Sequence, residues 1–453
     1  MNKVLQREYI NNSSRLAIKK DEEIIKNSYK EINMKSGNKI LPFYATPYFL
    51  TKTQYKEICK VTNLLSIILN KVAKEIFSNK KKYLKLFNLG KIEKKLYTED
   101  VGFLDINIFS RFDMFYDGKE IKLIEYNTES PSGMGRSVFI EEIFTNTELF
   151  KKFSKTHNIK KNIDMRKILL KTIIKKYKEF TKSTQRKTNK KPTIALIDWR
   201  GISTISDQKY IMDYFKSKGH VTFLCSPSEL YYKNKKLYYK DKVVNIIYKR
   251  SLTTEIINKQ AECRDFLDAV TNKKVCMVNP FASNLLGEKK LLNYIEKGIF
   301  NHVLTLKEQA IIKKTIPWSR TILKDKIEDF KGDIVDSKEF LIKNKTKLVL
   351  KSSIGYGGKD VFIGNQTSTK EWNKIVKLIT KTDKWIVQEY IKIPKIELAN
   401  SKSKNLSMNK YINICPYVIN NKVAGFLARV SSSKIINTSM GGGIIPTFIV
   451  DSV

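Results

Sequence analysis

Histidine is nearly absent from this chain, with three residues in 453, and cysteine is scarce. The five cysteines, Cys59, Cys225, Cys263, Cys276 and Cys415, are scattered, odd in number and never spaced CxxC. That excludes a disulfide framework and a zinc ribbon, and it predicts reduced thiols packed as small hydrophobes. No apolar run reaches the roughly 18 residues that span a bilayer, and the opening MNKVLQREYINNSSRL lacks the apolar core of a secretion signal. A soluble cytoplasmic protein with no membrane partner is the expectation. Acidic residues are scarce too, 45 against 85 basic ones, which leaves a formal charge of +40. A polyanion such as nucleic acid would fit that excess. However, 74 of the basic residues are lysines in an isoleucine- and asparagine-rich background, and lysine faces are usually only solvated. Nucleic acid is therefore the weaker reading.

Eleven arginines remain, and scarcity makes them informative. Arg111, Arg136, Arg200, Arg250 and Arg429 lie in or beside the motifs below, and arginine suits bidentate contacts to phosphate or carboxylate better than lysine does. With 42% hydrophobic residues the chain has material for a large core and two or three domains.

Four regions are expected. Residues 1–95 read as mainly helical, with apolar positions three and four apart in TKTQYKEICKVTNLLSIILNKVAKEIF and an N-cap at Thr51 or Thr53. Residues 96–190 hold a β-hairpin, a Ser/Pro/Gly turn, and a basic helix ending in a linker. Residues 191–282 alternate short apolar strands (TIALIDWR, VTFLCSP, VVNIIYKR) with helices, the pattern of a small doubly wound α/β domain. Residues 283–453 mix helices with strands KLVLKSS, DVFIG, KWIVQEYI, YINICPYVI, VAGFLARVS and GGIIPTFIV, an α+β pattern with antiparallel pairing.

The hairpin RFDMFYDGKEIKLIEYN carries Arg111 and Asp113 two apart on one strand and Glu125 and Asn127 two apart on the next. Strand periodicity puts each pair on one face. The two faces coincide only if the loop near Asp117-Gly118 has an odd number of residues, such as three with a left-handed glycine. Further on, LVLKSSIGYGGKDVFIG ends an apolar strand at Lys351, and Gly355, Gly357 and Gly358 follow in a short loop. Glycines let backbone approach phosphate oxygens and a strand-borne lysine can neutralise them. It is not a Walker loop, since GxxxxGK[ST] is missing and a strand follows. A tight hairpin with an exposed lysine is the plain alternative. KWIVQEYIKIP then ends a strand at Gln388, Glu389, Tyr390 and Ile391.

Taken together in this order, these segments resemble the circularly permuted ATP-grasp ligases, the glutathionylspermidine synthase-like group of unassigned substrate. The same run includes IALIDWR, IIYKR, NPFAS, IPWSR and VQEYI, and it covers about residues 100–453. In an ordinary ATP-grasp protein the metal ligands follow the nucleotide lysines; here they precede them. The resemblance implies an ATP-grasp fold with a small pre-ATP-grasp domain, ATP and Mg2+ as cofactors, and small-molecule or peptide carboxylate and amine substrates joined through an acyl phosphate. It implies metal ligation by Asp113, Glu125 and Asn127, catalytic roles for Arg111 and Arg429, and ATP contacts from Lys351, the Gly355–Gly358 loop, Gln388 to Ile391, and Lys289 in preference to Lys290. Ser130, Ser132 and Asn437 fall on its substrate side. Arg250, with Asp198 and Arg200, lies at the carboxyl ends of predicted strands, where open sheets bind ligands, and is a candidate carboxylate anchor. ATP binding without ligation is the second reading, because the fold alone does not fix the chemistry.

Overall fold

The computed structural model describes residues 3–36, 39–103, 105–129, 131–322, 325–353, 360–382 and 384–451. Ser130 and the glycines at 355, 357 and 358 lie outside them, so their expected roles have no structural counterpart here.

The apolar runs between 194 and 278 form a four-stranded parallel sheet, in the order Cys276–Val278, Ile246–Lys249, Ile194–Ile197, Thr222–Cys225. Its strands are buried almost throughout, as a parallel sheet covered on both faces requires. One expectation changes. VVNIIYKR is not a single strand, because Asn245 interrupts it with a side chain that accepts from the Thr193 N–H at 2.9 Å. Lys242–Val244 instead closes a three-stranded meander with Leu230–Lys233 and Lys236–Tyr239. Asn234 and Lys235, both at positive φ, make the tight turn between the first two of its strands.

The hairpin does not stand alone. A large antiparallel sheet runs Gly443–Ile445, Lys422–Ser431, Ser407–Ile419, Phe109–Tyr116, Ile121–Asn127, with Lys395–Ala399 also on Ser407–Ile419. Residues 109–127 are thus built into a sheet whose other strands come from 395–445. A second antiparallel sheet, Ser319–Thr321, Trp385–Glu389, Leu348–Ser352, Val361–Ile363, carries the lysine strand and has its own small core around Trp372.

GGIIPTFIV also divides. Pro446 has no N–H to continue a ladder, so Gly443–Ile445 stays in the large sheet while Thr447–Asp451 lies between Tyr48–Thr51 and Asn158–Lys160. The first hundred residues are therefore helical with a strand that pairs with the end of the chain. Helix Lys52–Ser78 begins at Thr51, whose hydroxyl accepts from the Gln54 N–H at 3.2 Å while Gln54 returns the bond, a capping box. Its apolar face, Ile58, Leu65, Leu69, Val72 and Ile76, is buried in the same core cluster as Ile412, Phe426 and Ala428 of the large sheet.

The hairpin loop has four residues, Asp117 to Glu120, not an odd number. Asp117 Oδ1 accepts from the Lys119 and Glu120 N–H groups, both at 2.8 Å, and Gly118 is left-handed at φ 105°. Tyr116 pairs with Ile121, which alone would set the two polar pairs on opposite faces. A bulge at Ile124 restores the parity: Met114 pairs with Leu123, but Asp113 pairs with Glu125 and Arg111 with Asn127.

Candidate active site

Directly opposed residues of an antiparallel pair share a face, so Arg111, Asp113, Glu125 and Asn127 converge. Asp113 is buried and its carboxylate is gripped twice. Arg111 donates from Nε to Oδ1 at 2.7 Å and from Nη2 to Oδ2 at 3.1 Å, and Arg429 Nη2 donates to Oδ2 at 2.7 Å. Burial pushes the Asp113 carboxyl up, but the two guanidinium groups outweigh it and hold the group well below the usual carboxylate range. Arg111 Nη1 also donates to the Ser132 carbonyl at 2.9 Å, and Arg429 Nε to Asn413 Oδ1 at 3.2 Å. Glu125 pairs with Lys289 at 3.1 Å.

Lys351 comes to the same place from the second antiparallel sheet. Its ammonium donates to Gln388 Oε1 at 2.6 Å and to the Ile124 carbonyl, at the bulge, at 3.4 Å. Burial pushes its pKa down to about 8, with Lys289 adding to the shift and Glu125 and Asp113 opposing it. The exposed-hairpin alternative is therefore replaced: Lys351 is 9% exposed.

Two cavities meet here. One, about 940 Å³ counted to its open mouth, is walled by Lys351, Lys289, the strand end from Gln388 to Ile391, and apolar Val349, Ile363 and Ile393. The other, about 1470 Å³, is polar and is lined by Arg111, Asn127, Ser132, Arg136, Asp198 and Arg250. Glu125, Arg429 and Asn437 line both. Lys290 is buried and lines neither, which places Lys289 at the site. At the strand end, the Glu389 and Tyr390 N–H groups already donate to the Trp318 and Lys347 carbonyls, at 2.9 and 2.7 Å.

The donor set for a cation is two carboxylates and an amide. Among the described residues no group of three or more His, Cys, Asp and Glu could hold a metal. Of the four lone-pair sites on Asp113, three accept from guanidinium, and the Cys415 thiol also hydrogen-bonds the carboxylate. Asn127 Nδ2, a donor, is buried without a partner among the described residues and calls for an acceptor such as a phosphate oxygen, while its Oδ1 is the atom that would face a cation. Such a set fits Mg2+, which binds through one or two carboxylates and takes its other oxygens from water and phosphate.

The remaining sequence candidates have other engagements. Ser132 contributes its carbonyl, which accepts from Arg111 and from the Tyr417 hydroxyl at 2.5 Å. Asn437 accepts from Ser439 N–H and Oγ at 2.8 and 2.7 Å. Arg250 is buried, donates from Nη1 to the Pro131 carbonyl at 2.8 Å and lies 3.7 Å from Asp207. Arg200 is exposed and pairs with Glu229.

Sequence reasoning missed what holds the turn after the hairpin. Asn279 is buried at the carboxyl end of strand Cys276–Val278. Its amide donates to the Phe109 and Thr128 carbonyls, both at 2.6 Å, and accepts from the Phe109 N–H at 3.1 Å. It takes the place of the strand partner that Phe109 lacks once the chain turns away at Thr128. Lys249 and Glu129 form a buried pair at 2.7 Å, and Asp207 accepts from the Gly133 and Arg136 N–H groups at 3.0 and 3.1 Å, capping helix Met134–Phe144. The only signal for these was a polar residue directly after an apolar run, as in IIYK and CMVN.

A family model described as glutathionylspermidine synthase pre-ATP-grasp matches residues 42–449. No curated protein matches the sequence. Among solved structures, a glutathione synthetase-like effector from Globodera pallida, in its apo form, superposes with a TM-score of 0.60 at 12% identity, over 97% of this chain and 99% of that one. That likeness shows the ATP-grasp fold. A putative gamma-glutamylcysteine synthetase from Methylobacillus flagellatus KT gives a TM-score of 0.45 at 12% identity over 89% and 90%, too low to weigh. With nine-tenths of its length matched by the family model, the chain belongs to the glutathionylspermidine synthase pre-ATP-grasp family.

Proposed function

We propose that the protein is an ATP-dependent carboxylate–amine ligase that works through an acyl phosphate. The observation that carries this reading is the junction at Arg429 and Glu125 between a nucleotide-sized cavity and a polar one. Lys351 and Lys289 would draw the ATP phosphates to that junction. Since two strand-end N–H groups are already bonded, the base edge is left to Ile391 and to carbonyls, against the apolar wall of Val349, Ile363 and Ile393. Mg2+, held by Asp113, Glu125 and Asn127, would supply charge neutralisation between triphosphate and carboxylate. In this reading an oxygen of the substrate carboxylate bonds to the γ-phosphorus as the bond to the β-phosphate bridging oxygen breaks, releasing ADP. Arg429 and Arg111, fixed by Asp113, face the charge that builds on the transferred group without needing to reorganise. An amine nitrogen then bonds to the acyl carbon, phosphate leaves and the nitrogen loses a proton.

The hairpin lies before the lysine strand in the chain yet in the sheet of the closing strands, and we read this as a circular permutation. The four-region division of the chain is likewise proposed: the parallel sheet at 194–278 as the pre-ATP-grasp unit and 283–453 as the nucleotide part. The test is to incubate the protein with ATP, Mg2+ and pooled metabolites and measure ADP, with hydroxylamine added to trap acyl phosphate as hydroxamate. Without hydroxylamine, turnover to ADP that needs acid and amine together is the expected result; with hydroxylamine, acid alone should give hydroxamate and an equal amount of ADP. ATP binding with neither product would leave the non-ligating alternative.

A further inference from the structure

Asp198 and Arg250, at carboxyl ends of the parallel sheet, face the polar cavity, but the amino ends of that sheet carry a cavity of their own. It holds about 840 Å³ counted to its open mouth, and Arg186, Lys187, Lys235, Lys236 and Lys274 line it, with no carboxylate among the described residues of its wall. Asn245 and Lys274 in this wall stand just before strands Ile246–Lys249 and Cys276–Val278, whereas Asp198 and Arg250 come just after strands Ile194–Ile197 and Ile246–Lys249. A strand of three or four residues is about 10–13 Å long, so the two cavities are separate places.

Three segments of chain bring the cations together, and Arg186 ties them. From the stretch after helix Met165–Ser183, its Nη1 donates to the Lys274 carbonyl at 2.7 Å and its Nη2 to the Lys235 carbonyl at 3.4 Å. Carbonyls fix the guanidinium without cancelling its charge. None of the five cations pairs with a carboxylate among the described residues, while Lys242 and Lys273 nearby in the chain pair with Asp241 and Asp100. Lys235 is also an unusual occupant of its position. It is the second residue of a two-residue hairpin loop, at φ 58°, where glycine is the common choice because left-handed backbone crowds a Cβ. The loop thus keeps a charged side chain in the cavity wall where the backbone alone would favour none.

The floor is apolar, since Tyr177, Phe180, Leu237 and Val244 are buried beneath the cations. Cations over an apolar floor suit an anion with a carbon body better than a bare inorganic ion. A phosphate monoester puts about two charges and three acceptor oxygens on one small group, which matches five uncompensated cations better than a single carboxylate does. We propose that this cavity is a second ligand site, for a small organic phosphate with a flat apolar body. The inference does not rest on the ligase reading.

Calorimetric titration of the full chain with α-naphthyl phosphate, against neutral α-naphthol and inorganic phosphate, tests the site. Lys235→Gly combined with Lys274→Gln removes two charges from the cavity, and because glycine relieves the left-handed backbone the melting temperature should not fall. Lys167→Gln combined with Lys171→Gln, both exposed near the start of helix Met165–Ser183, removes the same charge elsewhere. The expected result is saturable α-naphthyl phosphate binding, at least tenfold weaker binding of either control ligand, and about tenfold weaker α-naphthyl phosphate binding in the cavity variant. The helix variant and Lys351→Met should both bind it as wild type does. Absence of saturable binding, equal binding of a control ligand, equal losses in the two double variants, or a loss in Lys351→Met, which would put the probe in the catalytic cavity, would each overturn the proposal. So would an oligothymidylate that binds more tightly than α-naphthyl phosphate and loses affinity in the cavity variant, since that would assign the face to nucleic acid.

Discussion

Asp113 and Asp207 are both buried aspartates facing arginine, one in the large antiparallel sheet and one beside the parallel sheet. Asp113 accepts from the side chains of two arginines and lines a cavity. Asp207 accepts from the backbone N–H groups of Gly133 and Arg136, with the Arg250 guanidinium only at 3.7 Å. The same residue types thus do two jobs. At Asp113, charge is assembled where a ligand can reach it. At Asp207, charge caps a helix and fixes the turn from Thr128 to Gly133, whose carbonyls in turn bind Arg111 and Arg250. The difference lies in what the carboxylate accepts from, guanidinium at Asp113 and backbone N–H at Asp207.

The largest effect should follow from breaking the first pair. Asp113→Asn removes the counter-charge of two buried guanidinium groups, so it should abolish ADP formation and also cost about 3–5 kcal/mol of stability in a denaturant titration. Because the folded Asp113 carboxyl titrates below its unfolded value, its contribution is present above about pH 4 and fades as pH falls further. The stability gap between wild type and variant should therefore narrow in acid.

Arg429→Lys is next. Lysine keeps the charge but cannot bond Asp113 and Asn413 from one planar group. Turnover should fall by about a hundredfold while ATP affinity changes less than about threefold, since the contact strengthens only as the acyl phosphate forms. Equal losses in both would make Arg429 a ground-state ligand.

For Lys351 the readout is protons. Its pKa of about 8 leaves it partly neutral in mild alkali, and nucleotide phosphates favour the charged form. ATP binding near pH 8.5 should therefore take up a fraction of a proton, measured by calorimetry in buffers of different ionisation enthalpy. Lys351→Met should abolish that uptake and weaken ATP binding by roughly 10- to 100-fold, about 1.4–2.8 kcal/mol. Unchanged affinity would remove Lys351 from the nucleotide site.

The hairpin polar residues, Lys351 and the parallel sheet were legible because each depends on local pattern: period-two alternation, an apolar strand ending in lysine, short buried runs. The bulge at Ile124 was not, since nothing in KLIEYN marks where an extra residue enters a ladder. Nor were the breaks at Asn245 and Pro446 read as breaks, though proline is a known interrupter. Asn279, Lys249 and Asp207 escaped because their partners lie 71 to 170 residues away in the chain. A polar residue after an apolar strand looks the same whether it meets solvent or a buried turn.

Arginine scarcity was the most productive clue, and the weakest effect tests its limit. Arg200 and Arg250 each end a run of the parallel sheet, and sequence treats them alike. Arg250 is buried on the Pro131 carbonyl, so Arg250→Gln should loosen the turn and cost about 1–3 kcal/mol, the usual loss for an unpaired buried group. Arg200 has a side chain 65% exposed and bonds to Glu229, itself 36% exposed, and to Tyr239. Exposed ion pairs are screened and contribute little, and the shortness of this contact does not change that. Arg200→Gln should leave the denaturation midpoint and ADP formation within experimental error. A clear loss of turnover with unchanged stability would show that Arg200 reaches a ligand from the rim of the polar cavity, and the division between exposed and buried arginines would then fail as a guide to function.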